Sequence, residues 1–429
     1  MALGDLAVAA AADGAAVNAK VESVRVRGSS RGRWAALGLL ATAMVLGMTT
    51  WFSVAAVGPQ LRLAWSLSTL TASLLDVAVQ VGFVAGALLI AAANLPDIMP
   101  PRTLILLGSL GAALANVLLL TSPSVGLAIA LRLLTGAFLA GVYPPALKAM
   151  LTWFEAGRGT VLGVMVGALT LGSAAPQLVN ALGGANWRTV IVVTSALTVV
   201  GGVVTRCLVK DGPFSFPPAV FAPRQAAAVL RNRAVRLAYL GYFGHMWELY
   251  AMWTWIYAFS RAELHPGGVE RMATIDSLAA FAIVGSGALG CLAGGILGDR
   301  WGRTRVTRLS MALSGSCCLV IGPAAHLGAV VLLAVGIFWG FWVVADSAQF
   351  TTIVTETCDQ AYVGTAVTLQ IAVGFTLSVV TIWLIPFVQG KTGWTWAFAI
   401  LAPGPLLGVA AMTRLLHSPE ARLIAGGRG

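Results

Sequence analysis

The sequence predicts an all-α polytopic membrane protein, with twelve transmembrane helices in two pseudo-symmetric six-helix bundles. Composition, the count of apolar windows and an internal repeat predict it. Of the 429 residues, 58% are hydrophobic and only 10% are charged, where a soluble domain carries about a quarter charged residues. Windows of roughly 20 apolar residues are long enough to cross a bilayer as helices, and twelve can be counted. The repeat relates the two halves. Leu95-Pro-Asp97 returns as Leu297-Gly-Asp299, 202 residues on; Glu155 and Gly159-Thr160 are echoed by Glu356 and Gly364-Thr365, the Gly-Thr pair 205 on; and Trp187 is matched by Trp394, 207 on. Parallel halves of this kind place a solute site between them, near mid-membrane.

In chain order the windows fall at about 34–57, 69–92, 103–121, 125–147, 159–181, 188–208, 237–259, 275–297, 305–325, 328–350, 363–388 and 395–415, with the weakest break near His326. Residues 1–33 form a tail with Lys20, Arg25, Arg27, Arg31 and Arg33 ahead of an uncleaved first span. The first bundle is 34–209 and the second 237–416, followed by a second tail at 417–429. Residues 210–236 join the bundles. Pro213, Pro217, Pro218 and Pro223 argue for an extended tether there, and the basic run Arg231–Arg236 for a face held at anionic headgroups; a plain solvated loop gives the same topology. The tail, the linker, the 298–308 loop and the C-terminal tail are all basic, which predicts that both termini are cytoplasmic. Arg261 and Arg271 dilute the contrast on the other side.

The net charge of +11 reports this orientation rather than nucleic-acid binding. Cys207, Cys291, Cys317, Cys318 and Cys358 form no CxxC pair, so neither disulfides nor a zinc site are expected. The four histidines lack metal-ligand spacing. No glycine-rich phosphate loop ends in Lys-Ser/Thr, so the chain has no ATP motor. A non-enzyme with no cofactor and no metal is expected, with a small-molecule substrate, protons and lipids as partners, working as a monomer.

The most specific stretch is Gly295–Arg305, a polar run between two apolar spans, with Gly295, Leu297, Asp299, Arg300, Gly302 and Arg303 in ordered spacing. Four charges in a tight turn belong in water at a membrane face, where a carboxylate paired with guanidinium groups can latch helix ends. The run resembles the signature loop of the major facilitator superfamily. That resemblance implies secondary transport by alternating access, with gating by Gly295, Asp299, Arg300, Gly302 and Arg303. The first-half copy keeps Asp97 and Arg102 but has prolines where glycine and arginine are usual. Trp153-Phe154-Glu155 with Arg158-Gly159 resembles the family's loop between spans 4 and 5. Gly159, Gly163 and Gly167 put small residues on one helix face, which allows close helix packing. Gly172 to Pro176 only approximates the exporters' Gly-Pro pattern.

Arg132 with Gly136 and Ala140 resembles the family's span-4 arginine motif. A guanidinium in hydrocarbon needs an aqueous cavity or a partner, so Arg132 either contacts an anionic substrate or a proton relay, or ties down neighbouring backbone. His245 and Glu248 share one face of span 7 at i and i+3; they form either a proton-coupling pair or a hydrogen-bonded structural one. Asp346 and Gln349 have the same spacing in span 10. By resemblance, spans 1, 4, 7 and 10 line the cavity, so Trp51, Arg132, His245, Glu248 and Asp346 should surround one space. Trp255 is the aromatic substrate candidate, and Asp76 and Gln80 in span 2 are less firmly placed. The function read from these residues is proton-coupled uptake of a small organic or inorganic anion. Proton-driven efflux of hydrophobic compounds and a non-transporting receptor on the same scaffold are the alternatives.

Overall fold

The computed structural model describes residues 30–122, 124–154, 157–183, 186–214, 223–264 and 273–429. The tail before Ser30, Glu155 of the repeat, Pro217, Pro218 and Arg271, and the side chains of Arg31 and Asp97, lie outside the described residues. Among those described, helices are the only regular structure. Twelve long helical segments, with shorter helical turns between and after them, follow in order among the described residues: α1 (Ser30–Gly47), α2 (Thr69–Ala92), α3 (Pro101–Thr121), α4 (Val125–Leu151), α5 (Arg158–Leu182), α6 (Trp187–Leu208), α7 (Arg233–Leu264), α8 (Ala273–Trp301), α9 (Arg303–Ala325), α10 (Ala329–Thr357), α11 (Val363–Thr392) and α12 (Trp394–Leu416). Ten of them, α2–α6 and α8–α12, are long and apolar enough to cross a membrane. The helix α1 is shorter, while α7 is long enough, at about 48 Å for 1.5 Å per residue, but its centre is rich in Tyr, Trp, Gly and His and is less apolar. The weak break near His326 is a true turn, with Gly328 at φ +111°.

The helices pair by a rule that repeats between the halves. In the first, α2 packs on α4, α3 on α6, and α1 on α5 and α6; in the second, α8 packs on α10, α9 on α12, and α7 on α11 and α12. Two seams join the halves, α5 against α8 and α2 against α11. Each seam becomes the other when the halves are exchanged, so the pairing supports a two-fold relation along the bundle. Both α4 and α10 are interrupted at matching places, at Ala140–Val142 and Val344–Asp346.

The first span departs from expectation. Instead of running as one helix to Val57, α1 ends at Gly47, unwinds through Met48–Val54 and resumes in a 3-10 turn and a short helix, Gly58–Ala64. Thr49-Thr50 and Ser53 explain the break locally. The Thr49 hydroxyl donates to the Leu46 carbonyl at 2.9 Å, and that of Ser53 to Thr50 at 3.0 Å. Such side-chain bonds compete with the helical ladder.

The α5–α8 seam is built on absent side chains. A Cβ at Gly163 would stand 2.5 Å from the Cys291 carbonyl oxygen, and one at Gly295 would stand 2.8 Å from that of Gly159. Backbone meets backbone here, and neither side can yield. Gly163→Val is therefore expected to cost about 1–3 kcal/mol by overpacking, read as a lower unfolding temperature in detergent. An unchanged midpoint would mean that the seam is looser than these distances.

Candidate functional site

The unwound stretch of α1 determines the centre of the molecule. Its free carbonyls are taken by Arg132 of α4: Nη1 donates to Thr50 O at 3.0 Å and Nη2 to Trp51 O at 2.5 Å, while Nε donates to Leu75 O of α2 at 3.3 Å. Nη1 also reaches Ser53 Oγ and Asn116 Oδ1, at 3.4 and 3.3 Å. The guanidinium is wholly buried within the first half. Of the two readings of Arg132, the geometry matches the tie to backbone.

Held this way, Trp51 and Phe52 project between the halves. Trp51 stacks on Tyr250 of α7 at 5.8 Å and packs on Phe83 of α2 at 4.7 Å. Phe83 meets Phe375 of α11 at 4.6 Å, Phe375 meets Tyr250 at 5.0 Å, and Phe52 stacks on Tyr250 at 6.0 Å with Trp253 against it at 5.7 Å. Six rings from both halves thus form one layer, none more than 4% exposed. Unpartnered polar atoms occur on two of these rings and on Gln80, one turn from Phe83. The indole nitrogens of Trp51 and Trp253 and both ends of the Gln80 amide are buried without hydrogen-bond partners among the described residues. Gln80 precedes Phe83 by three residues, on the same face of α2.

Beside this layer, one to two turns back along α7, His245 Nδ1 lies 2.9 Å from Asp346 Oδ1. Asp346 sits in the break of α10, where a short turn separates Val343 from the next helix. The ring of His245 also neighbours Tyr242 and Phe350. Glu248 faces elsewhere. Its carboxylate accepts from Trp339 Nε1 at 2.6 Å, Ser314 Oγ at 2.9 Å and Cys318 Sγ at 3.2 Å, all within the second half. The pairing expected of His245 with Glu248 is therefore corrected to His245 with Asp346. Three residues along a helix turn a side chain by about 60°, enough here to give the two residues different neighbours. Likewise Trp51, Arg132, His245, Glu248 and Asp346 do not share one set of contacts: Arg132 bonds within the first half, Glu248 and the His245–Asp346 pair within the second, and Trp51 reaches across to Tyr250 and Phe375.

The end of the bundle holding Asp299 is closed by charge. Asp299 Oδ2 accepts from the backbone N–H and hydroxyl of Thr160 in α5, at 2.9 and 3.0 Å. Thr160 is the third residue of α5, and its N-cap, Gly157, offers no side chain, so Asp299 caps the first turn from across the seam. Gly159 makes the approach possible, since a Cβ there would stand 2.7 Å from Arg303 Nη1 and overlap the Asp299 carboxylate. Arg303 pairs with Asp299 at 3.2 Å and forks onto Glu356 at 2.9 and 3.0 Å. Its Nη1 also donates to Gln349 Oε1 at 2.9 Å, and Gln349 donates to Gly294 O. Gln349 is thus part of this network rather than of a cavity with Asp346; the break in α10 cancels the helical i, i+3 rule. Arg300 is exposed. Arg102 does not form the matching contact in the first half, but bonds Asp211 at 2.8 Å and Val209 O at 3.3 Å.

At the opposite end, the described side-chain bonds across the seam join neutral groups. Asn180 of α5 donates to Ser277 of α8 at 2.9 Å and to Ala56 O at 2.9 Å, with Gln60 and Tyr257 alongside at 3.4 Å. Trp255 donates to Ile382 O at 2.9 Å. It borders a pocket of about 50 Å³ shared with Arg62, Ser73, Asp76 and Thr254. Asp76 is nine-tenths buried there. Phe52, Phe83, Tyr250 and Phe375 had no signal in the sequence beyond being aromatic and apolar, and Thr160 and Glu356 had only their place in the repeat. No group of three or more described His, Cys, Asp or Glu residues is placed to hold a metal ion.

Compared with known families, residues 39–380 match the Major Facilitator Superfamily. No curated protein matches the chain.

Two outcomes follow from the geometry. Arg132→Leu should lower the unfolding temperature, because each buried carbonyl it leaves without a donor costs about 1–3 kcal/mol; an unchanged midpoint would mean that the unwound turn supports itself. Asp299→Ala should remove a cap worth about 0.5–2 kcal/mol, raising the maleimide labelling of buried Cys291 about twofold to thirtyfold. Labelling at the parental rate would show that Asp299 does not hold this end shut.

Proposed function

Because the chain belongs to the major facilitator superfamily, and is thus a secondary transporter in an integral membrane fold, we propose that it moves a small organic solute with a flat apolar body, by alternating access and coupled to protons. The aromatic layer carries this reading. It is built from both halves, it is enclosed, and it combines ring faces with unpaired indole and amide groups. A flat solute with one or two polar substituents stacks on the rings and satisfies those groups. The support for an anion came from Arg132, whose donors are engaged by the first half. Proton coupling is assigned to His245 and Asp346, two titratable groups in contact beside the rings and in different helices, so that binding at the layer alters their separation. Glu248, held by three donors within one half, is assigned to structure.

The experiment is flux into liposomes carrying the purified protein under an imposed pH gradient, comparing indole-type and phenyl-type organic solutes with inorganic anions. Gradient-driven accumulation of the former, lost in Trp51→Ala, is expected. Anion accumulation indifferent to Trp51→Ala would restore the anion reading, and binding without flux would favour a receptor. Asp346→Asn is expected to cut gradient-driven accumulation at least tenfold while sparing solute exchange. Glu248→Gln should instead lower the unfolding temperature and leave the gradient response in place. The reverse pattern would return the coupling role to Glu248.

A further inference from the structure

Beyond α12 the chain turns back beneath the closed, charged end. Pro419–Leu423 form a 3-10 turn, and Ile424 is fully buried. The bonds that follow have a common target. The Ala425 N–H donates to Glu356 Oε2 at 3.0 Å, the carboxylate that grips Arg303. Arg428 Nη1 donates to the backbone carbonyl of Asp299. The Thr304 N–H donates to the Gly429 carbonyl at 3.2 Å. The carbonyls of Arg428 and Gly429 also press on Gly302, which sits at φ +102° and would bring any Cβ into them. Residues 424–429 therefore contact Asp299, Gly302, Thr304 and Glu356, which surround Arg303. All of these belong to the second half, so the segment does not itself bridge the seam.

We propose that Ile424–Gly429 is a brace that positions the Asp299–Arg303 latch, with Arg428 its main positioning residue. The inference rests on reading Asp299 with Thr160 as the closure at this end. The Asp299 carboxylate must meet the Thr160 N–H at the first turn of α5. The brace fixes the backbone on either side of Gly302 and holds Glu356 against Arg303, so the carboxylate is in place before the halves meet. Losing the brace leaves the latch residues intact but mobile, and the closed arrangement becomes less populated.

The test uses the full chain in liposomes with Cys207→Ser, so that the exposed thiol is removed, and follows maleimide labelling of Cys291 by mass spectrometry. Cys291 is buried at the α5–α8 seam. Arg428→Ala, an exposed position with little risk to folding, is expected to raise labelling at least threefold. Arg428→Lys should recover part of the protection, and Asp299→Ala with Arg428→Ala should label no faster than Asp299→Ala alone. Parental labelling in Arg428→Ala, with fast labelling in Asp299→Ala, would overturn the brace and leave the latch standing. Parental labelling in both would remove latch and brace together. An additive double variant would show that Arg428 acts elsewhere, and would also overturn the proposal.

Discussion

The centre of this transporter depends on one buried guanidinium. A helix that unwinds inside a membrane exposes carbonyls that hydrocarbon cannot satisfy. Arg132 supplies the missing donors to Thr50 and Trp51 and adds a bond to Leu75 of a third helix. A planar group with several fixed donors suits this task better than an ammonium. The consequence is positional: Trp51 and Phe52 leave the helical path and enter the space between the halves.

The two halves secure their first helices with different residues. Arg132 lies eight residues before the break at Ala140 in α4, and Trp339 five residues before the break at Val344 in α10. Arg132 donates to the opened backbone of α1; Trp339 donates to the Glu248 carboxylate on α7, which stays helical throughout. In each half a donor on the fourth helix secures the first. The first half thereby gains a broken helix that supplies two of the six central rings, and the second an intact helix that supplies two others.

The architecture was legible in the chain because it rests on long apolar windows and on loops that recur at near-constant intervals. The latch was half legible. The ordered charges of Gly295–Arg305 marked Asp299 and Arg303, but Thr160 across the seam contributes a backbone N–H, which every residue type carries. The break in α1 was hidden because Trp51, expected to line the cavity, and Phe52 fit an unbroken apolar window as well as a broken one. His245 and Glu248 were grouped by their spacing, which fixes direction around a helix but not the identity of what lies opposite. Arg132 showed the same limit: a charge in an apolar span signals a partner without saying whether that partner is a ligand or a carbonyl.

The unlike chemistry of the two ends has an environmental consequence. Asp299 and Glu356 keep about a quarter of their side-chain surface open to solvent, so mobile ions within a Debye length of about 8 Å weaken that closure. Asn180, Ser277 and Tyr257 carry no net charge, and their bonds are nearly indifferent to dissolved salt. Ionic strength on the Asp299 face therefore acts on these carboxylate contacts more than on the bonds of Asn180 at the other end.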